Sequence, residues 1–97
     1  MMTFAQAKKR NLDKLKLFVP VVARVHGEHH PEFHEVRKVY DEMIAKINQS
    51  DSEAPDLESE FSRLRELTDR YTVPGDVCES YEAVYVMLSE LDEAYHG

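Results

Sequence analysis

Residues 77–95, Val-Cys-Glu-Ser-Tyr-Glu-Ala-Val-Tyr-Val-Met-Leu-Ser-Glu-Leu-Asp-Glu-Ala-Tyr, decide the fold class of this 97-residue chain. Their apolar side chains recur every three or four positions, which is the spacing of one face of a helix. The stripe is Val77, Tyr81, Val84, Leu88, Leu91 and Tyr95, with Cys78 and Tyr85 alongside. Only Val84-Tyr85-Val86 hints at a strand, and its neighbours keep the helical spacing. The stretch therefore predicts an amphipathic helix.

Three more stretches carry the same spacing. The first runs from about Phe4 to His26 and includes Leu12, Leu15, Val19, Val22 and His26. The second begins near Pro31 and includes Phe33, Val36, Tyr40, Met43, Ile44 and Ile47. The third is Leu57, Phe61, Leu64, Thr68 and Tyr71. Pro20 lies inside the first pattern and predicts a kink or a break there.

Short polar segments separate the patterns. Residues 49–55 contain several loop formers and predict a connection, and residues 73–76 predict a turn. Four amphipathic segments with short links favour an antiparallel bundle of three to four helices. We therefore expect an all-α protein in which residues 1–97 form a single domain.

Composition excludes several classes of protein. The net charge of −7 argues against nucleic-acid binding, because phosphates require basic patches. No run of about 18 apolar residues predicts a membrane span, and the N-terminus does not resemble a secretory signal. The single cysteine, Cys78, cannot form an internal disulfide, which fits a reducing compartment. We expect a cytoplasmic protein that binds neither nucleic acid nor membrane.

Four of the five histidines, His26, His29, His30 and His34, fall within nine residues. Imidazole is the commonest metal ligand and titrates near neutral pH. His26 lies on the apolar stripe of the first pattern, so its ring is predicted to face the interior. Two interpretations stay open: His26 is a metal ligand, with His30 as the nearest helper, or it is a neutral core histidine bonded to a carbonyl or carboxylate.

Other reactive side chains give weaker signals. No acidic residue sits squarely on an apolar stripe, although Glu35 and Glu60 come nearest, so a solvated face accounts for nearly all of them. Cys78 is either a reactive thiol favoured by a helix N-terminus or a small core residue beside Val77. No phosphate loop, nucleophile elbow or acid–base dyad is present, which leaves enzymatic activity undecided.

Two segments resemble a known family. Residues 21–31, Val-Val-Ala-Arg-Val-His-Gly-Glu-His-His-Pro, resemble the RVHGxxHP segment of the hemerythrin-like iron–sulfur cluster repair di-iron proteins, the RIC family. Residues 67–81, Leu-Thr-Asp-Arg-Tyr-Thr-Val-Pro-Gly-Asp-Val-Cys-Glu-Ser-Tyr, resemble its lTxxYxxPxxaC segment. The resemblance implies a four-helix bundle that holds a non-haem di-iron centre through histidines and bridging glutamates. It also implies a role in repairing iron–sulfur clusters after nitrosative or oxidative stress.

The family's iron ligands carry over only in part. His26 matches the histidine ligand of the first helix. The HxxxEE segment of the second helix has no counterpart, and the third-helix histidine falls at Ala54. The family's HxxLEN segment would lie just past Gly97. The resemblance therefore implies an incomplete or absent iron centre, in a chain that is either truncated or a degenerate relative.

Two functional classes follow from these observations. The first is a hemerythrin-like iron protein related to iron–sulfur cluster repair, with His26 and His30 as candidate metal ligands. The second is a metal-free helical interaction module. An unpaired apolar edge, expected if the chain lacks a helical hairpin, predicts a homodimer or a protein partner.

Overall fold

The computed structural model describes residues 2–50 and 55–97, and these form four helices without a strand. They are α1 (Phe4–His26), α2 (Glu32–Gln49), α3 (Glu58–Leu67) and α4 (Glu79–His96). The prediction of an all-α helical bundle is confirmed. Position 54, where the resemblance places a family ligand, lies outside the described residues.

The longest helix, α1, runs antiparallel to α4. The ring of Phe4 packs edge-on against Tyr95, with 5.3 Å between centroids, and the other end of α1 meets the start of α4. Helix α2 packs against both α1 and α3. This arrangement brings the C-terminus of α1, the start of α2 and the N-terminus of α4 to one end of the bundle.

The predicted stripes form the shared core. Its largest fully buried side chains come from all four helices and the residue preceding α3: Leu15, Val19, Val22, Phe33, Met43, Leu57, Phe61, Leu64, Tyr81, Tyr85, Leu88 and Leu91. Such close packing makes the removal of a single large side chain costly. The described helices thus enclose an apolar core of their own.

Helix α1 passes through Pro20 without a break. Of the predicted kink or break, the break is absent, and the core-facing side chains on either side, Val19 and Val22, are almost completely buried. Their packing outweighs the loss of one backbone hydrogen bond.

Helix α1 begins at a capping box in which Thr3 and Gln6 satisfy each other's backbone N–H groups.

Helix α3 ends earlier than its stripe predicts, at Leu67. The next residues, Asp69, Arg70 and Tyr71, have φ values of 50°, 55° and 64°, in the left-handed region. The Thr68 hydroxyl holds this turn, since it donates to the Leu64 carbonyl at 2.7 Å and accepts the Tyr71 N–H at 2.8 Å. Left-handed residues carry a conformational cost, which these side-chain bonds offset.

Of the helices that the structure describes, none is both long enough and apolar enough to cross a lipid bilayer.

Candidate functional site

The candidate site begins where α1 ends. The Gly27 N–H continues the helical ladder to Ala23 O, and the N–H groups of His29 and His30 both donate to the carbonyl of His26, at 3.1 and 2.8 Å. Gly27 is buried, and a Cβ at this position would collide with the Ala23 carbonyl oxygen and the His34 ring. The tight turn after α1 therefore needs glycine for space.

His26 and Cys78 meet across the end of the bundle. Nε2 of His26 lies 3.1 Å from Sγ of Cys78. His26 is half-buried as the last residue of α1, and Cys78 is the N-cap residue of α4. Cys78 is exposed, so its interpretation as a small core residue is wrong. Its sulfur makes no capping hydrogen bond to α4, which leaves it directed to the imidazole.

His30 forms a second pair close by. Its Nδ1 lies 3.1 Å from Oε1 of Glu32, and its Nε2 lies 3.1 Å from Oδ1 of Asp76. The side chain of His30 is only 15% exposed, whereas that of Asp76 is 71% exposed. Two carboxylates thus fix the orientation of this ring.

Both histidines lie against the ring of Tyr81. The centroid distances are 5.4 Å from His26 and 5.5 Å from His30. Tyr81 is fully buried, contacts Phe33 at 5.1 Å, and shares a 3.0 Å hydrogen bond between hydroxyls with Tyr85. Burial, together with that hydrogen bond, raises the pKa of Tyr81 far above its ordinary value. Neutral aromatic side chains therefore form the floor of the site.

The other two clustered histidines, His29 and His34, are exposed. Within residues 2–50 and 55–97, no three histidine, cysteine, aspartate or glutamate side chains are grouped so that they could hold a metal ion. A di-iron centre needs several inward-pointing carboxylates and histidines, and the described side chains do not fit one. The pair His26–Cys78 provides one imidazole and one sulfur ligand.

Among residues 2–50 and 55–97, two acids are buried, Glu60, which the sequence placed near an apolar stripe, and Asp92, which it assigned to a solvated face. Glu60 is 8% exposed and lies 2.9 Å from Nζ of Lys46. Burial alone would raise the pKa of Glu60, but hydrogen bonds from Lys46 and from its own backbone outweigh it and lower the pKa. Glu35 is exposed and pairs with Arg63 at 3.7 Å. These carboxylates neutralise cations and are not grouped as metal ligands.

Asp92 is the second buried acid and the centre of a polar network near the C-terminus of α4. It accepts the Tyr71 hydroxyl at 2.7 Å and lies 3.3 Å from Nε of Arg65 and 2.7 Å from Nδ1 of His96. Sequence reasoning missed it. Asp92 follows Leu88 by four positions and Tyr85 by seven, and that second stripe of α4 is the signal that would have identified it.

The two stretches that carry the family resemblance meet where His26 and His30 contact Cys78 and Asp76. His26 and His30 come from the first stretch, and Asp76, Cys78 and Tyr81 come from the second. No family model, curated protein or solved structure matches the chain.

Proposed function

We propose that this chain is a small cytoplasmic, hemerythrin-like metal protein that handles iron in connection with iron–sulfur cluster repair. In this proposal it binds one metal ion through His26 and Cys78 and does not hold a complete di-iron centre. The supporting observation is the 3.1 Å approach of His26 to Cys78, which joins the two stretches of the family resemblance.

The chemistry of the pair favours a transition metal. Thiolate and imidazole ligands together suit iron and zinc, whereas carboxylates and carbonyls suit magnesium and calcium. A bound iron would supply redox chemistry or an ion for transfer. His30, the helper suggested by the sequence, is held by Glu32 and Asp76 at the edge of the site, and the described side chains do not group it with His26 and Cys78 as a third ligand.

The residues around His26 and Cys78 determine how easily a bound ion would exchange with solvent. Tyr81 and Phe33 close the inner side and keep water away from the core. Cys78 and Asp76 are exposed, so the outer side is open to solvent. A site with two protein ligands and an open side binds and releases an ion more readily than a closed structural site does.

Metal competition tests the proposal. The chain is titrated with Zn²⁺ and Fe²⁺ against a chromophoric chelator, under reducing conditions. We expect His26→Ala and Cys78→Ser each to weaken binding at least about tenfold, the range seen when a supporting contact of a metal site is lost. His29→Ala, at an exposed histidine of the same turn, is the matched control and should bind as the parent does. Equal affinities in all four proteins would refute the proposal.

A second candidate function, a helical module that self-associates, is favoured by a separate observation. Four large apolar side chains are exposed on α1 and α4: Leu17 (67%), Val21 (43%), Val25 (57%) and Val86 (49%). Leu17, Val21 and Val25 are spaced by four residues and form one stripe of α1. Sedimentation equilibrium at micromolar concentrations should show a dimer, and a monomer throughout would contradict this function.

A further inference from the structure

His96, the last residue of α4, lies between two carboxylates. Its Nε2 atom is 2.9 and 3.1 Å from the two carboxylate oxygens of Glu58, the first residue of α3. Its Nδ1 atom is 2.9 Å from the backbone carbonyl oxygen of Asp92 and 2.7 Å from Oδ1 of the same residue. The ring therefore joins the beginning of α3 to the end of α4, far along α4 from Cys78.

The partners of the ring select its protonated form. A neutral imidazole has one N–H donor and one bare nitrogen, and the bare nitrogen needs a donor as its partner. Both ring nitrogens of His96 instead face carboxylate or carbonyl oxygens, which accept hydrogen bonds. The imidazolium ion, with two N–H groups, satisfies both contacts. The last turn of α4 favours the same charge, since the carbonyl end of a helix is negative.

Charged side chains from α3 and α4 also favour a positive ring. Arg65 of α3 places Nη2 3.8 Å from Glu58 and Nε 3.3 Å from Asp92. The group formed by Glu58, Asp92, Arg65 and His96 thus contains two carboxylates and one permanent cation. Its charges balance when His96 is protonated, and one negative charge is in excess when His96 is neutral.

A shallow depression beside the ring adds further negative charge. Glu90 and Glu93 of α4 line it together with His96, and Met2 brings no ionisable side chain to it. The hydrogen bond to the Asp92 carbonyl makes the largest contribution to raising the pKa of His96 above its usual value. The electrostatic surroundings therefore agree with the hydrogen-bond geometry.

Loss of the proton breaks the contact with Glu58 and spares the contact with Asp92. The Asp92 side chain is 10% exposed and is held by the Tyr71 hydroxyl at 2.7 Å, so the neutral ring keeps its one N–H on Asp92. The bare Nε2 then faces the Glu58 carboxylate, and two acceptors at this distance repel each other. The Glu58 side chain is 62% exposed, so it turns toward water.

Two other contacts hold the start of α3 in place. The Leu57 N–H donates to the Tyr95 hydroxyl at 2.9 Å, and Lys46 of α2 lies 2.9 Å from Glu60. The Tyr95 ring also lies 5.1 Å from the ring of His96. Neither holding contact includes a histidine. Release of Glu58 therefore loosens the first turn of α3 without detaching the helix.

We propose that His96 is a pH-sensitive latch between α3 and α4. The protonated ring bridges Glu58 and Asp92 and closes the latch, and the neutral ring releases Glu58 so that the first turn of α3 opens more often. Because protonation favours the closed form, the latch is closed below pH 6.5 and opens as the pH rises above that value. This inference goes beyond both proposed functions and depends on neither metal binding nor self-association.

Amide hydrogen exchange, measured by NMR between about pH 5.5 and about pH 8, tests the latch. The Leu57 and Phe61 amides report on the first turn of α3, since they donate to the Tyr95 hydroxyl and the Leu57 carbonyl. Their protection, corrected for intrinsic exchange at each pH, should fall about twofold to fivefold over this range, as for loss of a partly exposed ion pair.

Two substitutions of α3 separate the latch from a general effect of pH. In Glu58→Gln the amide accepts from the ring N–H or donates to the bare nitrogen, so the protection should no longer depend on pH. The same variant should lower the pKa of His96, measured from its ring proton shifts. Glu66→Gln, at an exposed glutamate of the same helix, is the matched control and should behave as the parent does.

The outcomes decide the proposal. Protection of the Leu57 and Phe61 amides that is independent of pH in the parent overturns it. A pH dependence in Glu58→Gln equal to that of the parent, or an unchanged pKa of His96 in this variant, overturns it as well. His96→Gln gives a second check, since it should also remove the pH dependence, and circular dichroism verifies that the helices persist.

Discussion

Nε2 of His26 and Sγ of Cys78 lie 3.1 Å apart although 52 positions separate the two residues in the chain. The antiparallel packing of α1 and α4 produces this contact, because the end of one helix meets the beginning of the other. The His26 ring also lies edge-on against the buried ring of Tyr81, whereas Cys78 is exposed. The contact is the geometric basis of the proposed metal site.

The core stripe of α3 can be tested at Leu64, which is completely buried. Leu64→Ala should lower the free energy of unfolding by about 2–5 kcal/mol, since both transfer energy and a cavity are involved. Ser62→Ala, at an exposed position of the same helix, should change it by no more than about 0.5 kcal/mol. Urea unfolding measures both. Equal effects at the two positions would show that the face of α3 is wrongly assigned.

The left-handed turn after α3 is held by Tyr71, whose hydroxyl donates to Asp92 at 2.7 Å. Tyr71→Phe removes one hydrogen bond to a charged acceptor and should destabilise the fold by about 1.5–3 kcal/mol. Tyr40→Phe is the control, at a more deeply buried tyrosine that is 5% exposed. Thermal or urea unfolding should show a larger loss of stability for Tyr71→Phe than for Tyr40→Phe. An unchanged stability of Tyr71→Phe would show that the hydrogen bond to Asp92 does not stabilise the turn.

Alanine substitutions at Gly27 and Gly75, the two glycines that flank the site, should change stability in opposite directions. Gly27→Ala places a methyl group against the Ala23 carbonyl and the His34 ring, and should cost about 1–3 kcal/mol through overpacking. Gly75 has open space around the equivalent position and no positive φ. Gly75→Ala should therefore stabilise the chain by about 0.4–1 kcal/mol by restricting the unfolded state. Equal stabilities of the two variants would contradict the packing of the α1–α2 turn.

Stability should depend on pH through His96. A hydrogen bond to the Asp92 backbone carbonyl, together with contacts to Glu58, raises the pKa of His96 above its usual 6.5 and outweighs the opposing effect of burial. Because the folded state favours the protonated ring, this contribution is fully present below pH 6.5 and is lost as pH rises through the raised value. NMR titration gives the pKa directly. His96→Gln should flatten this part of the stability profile, and a pKa at or below 6.5 in the parent would refute the prediction.

The sequence predicted the helices because four apolar stripes keep one period over many residues. The sequence placed the end of α3 too late, because Thr68 and Tyr71 continue the apolar stripe. In the structure the Thr68 hydroxyl bonds the Leu64 carbonyl and the Tyr71 N–H, which closes a turn after Leu67. The early end of α3 comes from local turn chemistry, since the Thr68 hydroxyl bonds residues three and four positions away. Helix α1 continues through Pro20, where the sequence predicts a kink or a break, and the buried side chains of Val19 and Val22 hold the helix on either side.

The candidate site was predicted in part. His26 and His30 were identified from their clustering and from the position of His26 on a stripe. Cys78 was considered separately, because the pairing of two distant helix ends has no local signature in the sequence. Asp76 was not identified, since an exposed aspartate in a turn resembles any solvated residue. The structure supplies the missing information by fixing which end of α4 meets α1.

The most direct test of the central claim is a Co²⁺ titration of the reduced chain, followed by absorption spectroscopy. Cobalt reports on its ligands, since a bound thiolate gives a charge-transfer band that carboxylate and imidazole ligands do not. The account predicts such a band, saturating at no more than one ion per chain and lost in both Cys78→Ser and His26→Ala. Iron reconstitution should likewise give well under two irons per chain. Two tightly held irons with an oxo-bridge spectrum, or cobalt binding without a thiolate band, would contradict the account.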